Sequence, residues 1–344
     1  MRWVAFFLLG TCVAGATTEA PAFSFIDFVK GLVNKYYSSD KKNNRFDHDN
    51  SPSKFDGLSE SALVSPSQNH PEKEEQELKR QELPSDQEEK NSINNKNVVS
   101  AFDPSNILSH KATYSINLNK NYGQDDVADA NGWMTIQVID TGDGWWAFEQ
   151  KSSLIIYNSE GEAQQINTSV NSWESYAGDR YRFTCSTLRN GVQEDNIKGE
   201  AIIQDNMCRV KYAEPTQTEI QLPGNTIFPL HYLIHSLNEA KSGKTVVSDI
   251  IFDGSSESQE PVAVDTIVGA SRDPHLIISG TESLKIKKSW PMHIAVYPIN
   301  SSNPDPDYEM EQTVLDVGIV KDMTLDYGTF SVKATIEKIE LFTS

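Results

Sequence analysis

From His110 onward, apolar residues recur at every second position. Met134, Ile136 and Val138 share one face, and Trp146 and Phe148 follow the turn signal Asp143-Gly144. Tyr181, Phe183 and Cys185 alternate in the same way before Asn190-Gly191, a dipeptide suited to a hairpin turn. Cys208, Val210 and Tyr212 repeat the pattern after Asp205-Asn206. Further on come Met292, Ile294 and Val296; Tyr308, Met310 and Val314; Met323, Leu325 and Tyr327; and Phe330, Val332, Ala334 and Ile336. A period of two marks strands with one buried face. The spacing predicts about a dozen to fourteen strands arranged as a meander.

One stretch breaks the period. Leu230, Leu233, Ile234 and Leu237 fall at i, i+3, i+4 and i+7, the stripe of an amphipathic helix. Pro229 suits a first helical turn, Lys241 complements the dipole at the far end, and Gly243 is placed to stop the helix. A β-run from Thr245 to Phe252 follows at once and closes on Asp253-Gly254.

Many strands and one helix predict an all-β fold. The expected form is a large curled antiparallel sheet, spiral-like and nearly closed into a barrel, with the helix across one end. Such a sheet encloses a wider interior than a small barrel. Trp146, Phe148, Tyr181, Phe183, Leu233 and Leu237 are therefore candidates for an apolar groove that receives a lipid, an acyl chain or a hydrophobic peptide. The plainer reading of the same residues is core, because aromatics on one strand face usually pack inward.

The first hundred residues are different. Arg2, the apolar run Trp3 to Val13 and the small residues Ala14-Gly15-Ala16 have the form of a cleaved secretory signal, residues 1–16. Cys12 raises a lipoprotein alternative, which Thr11 and the short upstream apolar stretch disfavour. In residues 17–37, Phe25, Phe28, Val29, Leu32, Val33 and Tyr36 would line one helical face. Residues 38–100 are rich in Ser, Asn, Gln, Lys, Glu, Asp and Pro, the composition of a disordered polar linker. A folded domain over 101–344 completes the expected organisation. The net charge is −19, of which residues 1–37 carry +1, 38–100 carry −4 and 101–344 carry −16. A domain this acidic is repelled by nucleic acid and by anionic membrane surfaces.

Chemistry-bearing motifs are sparse. His231 and His235 lie one helical turn apart, but the Glu that a zincin helix needs beside the first His is replaced by Tyr232. No metal or cofactor is expected. Glu174, Asp253 and Asp326 are the best acidic candidates, and turn chemistry accounts for the latter two. Cys185 and Cys208 are a candidate disulfide for an oxidising compartment. Against it, one strand separates them in the meander, and strands two apart lie about 9.6 Å from each other, beyond the reach of a bridge.

Several short blocks, taken in order, resemble the envelope integrity protein B (EipB) family of alphaproteobacterial periplasmic proteins. They are Ser109 to Tyr114, Ser172-Trp173-Glu174-Ser175, Tyr181-Arg182-Phe183 and Lys198-Gly199-Glu200-Ala201. Thr226-Ile227-Phe228-Pro229-Leu230-His231, Asn238 to Gly243 and Phe252-Asp253-Gly254-Ser255 come next. Thr266 to Gly269, Ser289-Trp290-Pro291-Met292 and Leu325 to Phe330 complete the series. The resemblance implies a spiral β-sheet with a helix across one end. It also implies a non-enzymatic periplasmic protein that supports cell-envelope integrity by binding an envelope component or a periplasmic partner protein. A carrier of lipid or lipoprotein acyl chains is the alternative. The family's disulfide, between an early strand and the C-terminal region, has no counterpart, because no Cys lies near Gly144 or after Met323.

Overall fold

A computed structural model of the chain describes residues 107–342 apart from 124–126, 256–259, 277, 279–283, 285 and 300–304. The expected signal, amphipathic segment and linker lie outside the described residues. Eight strands come first: β1 (His110–Asn121), β2 (Val127–Asp140), β3 (Trp145–Asn158), β4 (Ala163–Ser175), β5 (Arg180–Arg189), β6 (Val192–Gln204), β7 (Met207–Glu214) and β8 (Thr218–Pro223). The two-residue β9 (Thr226–Ile227) leads into the helix α1 (Pro229–Ser242). Six more strands follow: β10 (Val246–Ile251), β11 (Val262–Val268), β12 (Ser289–Pro298), β13 (Tyr308–Leu315), β14 (Val320–Asp326) and β15 (Phe330–Leu341). The helix matches its sequence pattern closely. Phe228 at the N-cap is extended, and Gly243 at the C-cap returns its N–H to the carbonyl of Ala240.

All fifteen strands belong to one sheet, in the order β8-β7-β6-β5-β4-β3-β2-β1-β15-β14-β13-β12-β11-β10-β9. The chain therefore starts in the middle of its own sheet. It meanders out to β8, passes to the opposite edge through Gly224-Asn225, and meanders back to meet β1. Every neighbouring pair is antiparallel except β9 and β10, which run parallel through two residue pairs. The strand count exceeds the expected range because β8 and β9 are too short to show a clear period.

Alternation sorts the two faces. Tyr181, Phe183, Cys185, Ile197, Cys208 and Val210 point into the core. On the other face Arg182 pairs with Glu200, Glu200 with Lys211, and Lys211 with Glu219, a row of alternating charge across β5 to β8. Helix α1 is buried on most of its circumference, with Pro229 to Ile234 buried without interruption. A helix wrapped on most sides occupies the interior and does not lie on the surface.

The two edge strands adjoin in sequence but are not neighbours in the hydrogen-bonded order. Side chains join the two arms from inside. Tyr181 of β5 stacks on Phe228 just before α1, with ring centroids 4.9 Å apart. Phe183 of β5 meets Phe252, just beyond β10, edge-on at 5.7 Å, and Tyr212 of β7 meets the same ring at 6.5 Å. Aromatic pairs of this kind contribute about 0.5–1.5 kcal/mol each beyond the burial of their area.

Candidate functional site

Glu174 lies at the end of β4 and is almost fully buried. Helix α1 has no acidic residue in its first turn, and its N-cap makes no side-chain hydrogen bond. Glu174 supplies what the helix lacks. Leu230 N–H donates to Oε1 at 2.7 Å, and His231 N–H donates to Oε2 at 3.2 Å. The His231 ring adds Nδ1 to the same Oε2 at 2.9 Å. A carboxylate on unsatisfied helix N–H groups is favoured by the dipole and by charge-assisted hydrogen bonding. The β4–β5 turn approaches the ring closely, and a Cβ on Gly178 would sit 2.6 Å from it. The Trp-Glu block and the Phe-Pro-Leu-His block thus form one structural unit.

Asp253 follows β10 and is 5% exposed. Its Oδ1 accepts the Ser255 N–H and the Ser255 hydroxyl, both at 2.9 Å. Its backbone carbonyl accepts the Tyr181 hydroxyl at 2.8 Å. Its Oδ2 has no hydrogen-bond partner. Burial pushes the carboxyl up to about 6. Gly254 adopts φ +73°, and a Cβ there would land on the Phe183 ring, so the Asp-Gly-Ser turn requires its glycine twice over. Tyr181 lies between the two acids: burial raises its hydroxyl well above the ordinary range, and Glu174 and Asp253 add to the shift.

The third acid, Asp326, is elsewhere. Its Oδ2 accepts the Tyr122 hydroxyl at 2.5 Å and its Oδ1 the Gly328 N–H at 2.8 Å, as turn chemistry predicts. The two histidines of α1 also part company. His231 bonds Glu174, whereas His235 Nδ1 lies 3.0 Å from Asp249 on β10, which raises the His235 pKa through that hydrogen bond. Tyr232 fastens the same helix to β11, its hydroxyl 2.5 Å from Thr266 Oγ1.

All six groove candidates, Trp146, Phe148, Tyr181, Phe183, Leu233 and Leu237, are buried in the common core, at 1–6% exposure. The candidate disulfide is a correction. Cys185 and Cys208 are both buried thiols, and no disulfide joins them. Cys185 pairs with Ile197 and Cys208 with Ile203, six residues apart along the intervening β6, or roughly 20 Å at the rise of a strand. Burial pushes the Cys208 thiol up to about 11, which keeps it unreactive near neutrality. Sequence reasoning missed Phe228, Phe252 and Asp249 as members of this interior. The first two lie inside blocks already quoted, so only their role was hidden.

The comparisons agree with this architecture. Residues 101–343 match the EipB-like family. The cell envelope integrity protein EipB of Brucella abortus (strain 2308) is 22% identical over 248 residues, covering 71% of this chain and 88% of that protein. The crystal structure of a β-barrel-like protein of a domain of unknown function, also from Brucella abortus, aligns with a TM-score of 0.65 at 20% identity. It covers 70% of this chain and all of its own. With a family match across its whole β-domain, the chain belongs to the EipB-like family.

Proposed function

We propose that the chain is a periplasmic protein that supports envelope integrity by non-covalent binding of an envelope component or a partner protein. The observation that carries the binding reading is the commitment of Glu174: both of its oxygens are taken by helix N–H groups and by His231. A carboxylate so engaged positions the helix and ties it to β4. The envelope role rests on the family and on the name of the Brucella relative. The periplasmic location rests on the leader pattern of residues 1–16. The test is deletion of the gene, followed by growth on detergent and on cell-wall inhibitors. Sensitivity is expected, with rescue by the full chain and none by a chain lacking residues 2–16. Unchanged resistance of the deletion strain sinks the envelope role, and rescue by the leaderless chain sinks the location.

A second reading, carriage of lipid or acyl chains, is favoured by a different observation. The interior is aromatic and aliphatic, and β8 and β9 are not paired at its edge. Separation of those edges is the route by which a chain would enter. Native mass spectrometry of protein isolated from its own envelope tests this reading. Excess mass that disappears on denaturation supports it, and bare polypeptide counts against it.

A further inference from the structure

Tryptophan divides between the two faces of the sheet. Trp146 and Trp290 are buried in the core. Trp133 on β2, Trp145 on β3 and Trp173 on β4 alternate with buried neighbours and lie on the outer face, where Trp133 is 48% exposed. A large ring left in water asks for an explanation that a buried one does not. The register puts the three on one patch. Trp133 pairs with Ser153 and Trp173 with Ala147, six residues apart on the intervening β3, so the two rings mark rows roughly 20 Å apart along the strands. Trp145 belongs to the Trp173 end, and the Arg182 guanidinium lies 5.3 Å over its ring. Between the two ends Thr135 pairs with Lys151, Lys151 with Ser169 and Ser169 with Ser186, beside Asn171. Glu149 in the same stretch is neutralised by Lys151 at 2.8 Å. The outer face of β11 to β14 has the opposite character. There Asp265, Ala295, Glu309 and Asp326 form one cross-strand row, with Glu311 next to it. A domain of charge −16 therefore keeps its outward tryptophans on a patch with no net negative charge.

We infer that the outer face of β2 to β5 is a binding surface for an uncharged glycan chain. The inference rests on the binding reading above and names the chemical class of the envelope component. A pyranose has an apolar C–H face, which lies flat on an indole, and a rim of hydroxyls, which exchange hydrogen bonds with Ser, Thr and Asn side chains. The patch offers both in that arrangement, with rings at its ends and hydroxyls and an amide between them. Its length suits an extended run of several sugars, and an open sheet face needs no cavity to receive one. Charge selects among glycans. The acidic domain repels a polyanionic chain, whereas an uncharged chain meets no such barrier.

The test uses the purified full chain and isothermal titration with four probes: chitohexaose, cellohexaose, chitotriose and the anionic hexagalacturonate. At least one uncharged hexamer is expected to bind. Its trimer should bind roughly tenfold more weakly, because it cannot reach both aromatic ends, and hexagalacturonate should not bind. Trp133→Ala and Trp173→Ala should each weaken the hexamer about tenfold, while Glu309→Ala on the acidic face leaves it unchanged. Trp133 is the more exposed ring, so its variant keeps the fold if Trp173→Ala does not, as circular dichroism would show. If neither uncharged hexamer binds, if hexagalacturonate binds as tightly, or if Trp133→Ala binds like the wild type, the glycan surface is wrong. The envelope role is judged separately, by the deletion strain, and survives that result. If the deletion strain keeps its resistance while the hexamer binds through Trp133, the surface stands and the envelope role fails.

Discussion

The sheet is joined in two places by opposite means. At its middle, β1 and β15 are zipped by an antiparallel ladder from His110 opposite Leu341 to Asn121 opposite Phe330. At its edge, β8 and β9 are not paired at all, and β9 meets β10 through two residue pairs. The middle is held by backbone and would tolerate many side chains. The edge is held by Glu174, Tyr232, His235 and a cluster of aromatic rings. Backbone ladders spread their stability over many equivalent bonds, whereas side-chain joints concentrate it in a few. Point substitutions at the edge should therefore act locally, and those in the middle globally.

The largest effect is expected at Glu174. Glu174→Ala strands two helix N–H groups and the His231 ring in the interior, a loss of about 3–5 kcal/mol. Urea denaturation measures the loss, and amide exchange locates it. Protection should fall first in α1 and β10 and last in β1 and β15. An even loss over the whole sheet would erase the distinction between edge and middle.

Gly254→Ala comes next, at about 2–4 kcal/mol, because the new methyl meets both the positive φ and the Phe183 ring. Thermal unfolding checks it. Ser255, the next residue, should lose its bonds to Asp253 in the variant, which a crystal structure would reveal.

Acid titration sets edge against middle directly. Asp253, at the edge, has its folded pKa raised to about 6 from 3.8. The folded state then holds the extra proton, so this contribution is full below pH 3.8 and is lost as pH rises through about 6. His110, in the middle, donates Nδ1–H to the Leu108 carbonyl at 2.7 Å, and burial lowers its pKa to about 4 from 6.5. The folded state there excludes the proton, so this contribution is present above pH 6.5 and is lost as pH falls through about 4. Each amounts to about 3 kcal/mol, with opposite sign. The wild type should therefore vary little between pH 4 and 6.5 on their account. Relative to it, Asp253→Asn should gain about 3 kcal/mol between pH 4 and pH 7, read from urea midpoints. A gain that fails to grow with pH would place the Asp253 titration elsewhere.

The smallest pair is the most discriminating. Tyr114→Phe removes a bond from the middle, hydroxyl to Val320 carbonyl at 2.7 Å. Tyr181→Phe removes one from the edge, hydroxyl to Asp253 carbonyl at 2.8 Å. Both should lower stability by about 1 kcal/mol. Only Tyr181→Phe should speed exchange in α1 under native conditions, and equal exchange in the two variants would count against a separable edge.

What could be read from the chain follows the range of the interactions. The helix from Pro229 to Ser242 was legible almost to the residue, because its stripe, its proline and its glycine stop are all local. The long strands were legible for the same reason. The function of Glu174 was not, since it acts on residues 56 and 57 positions away. Nor was the fate of the two cysteines, because register, and not strand order alone, sets their separation. The burial of the six groove candidates depends on how far α1 enters the interior, and no periodicity encodes that depth.

Taken from β9 through β15 and then from β1 through β8, the strand order in space is simply sequential. The domain is a linear meander that has been cut at its centre and relinked at Gly224-Asn225. Among the described strands the pairing between the most distant parts of the chain is β1 with β15, and closing that long loop is the slow entropic step in folding. A circular permutant that joins the chain beyond Leu341 to His110 and opens at Gly224-Asn225 would make nearly every strand pairing local. It should fold faster than the natural order while keeping the same sheet.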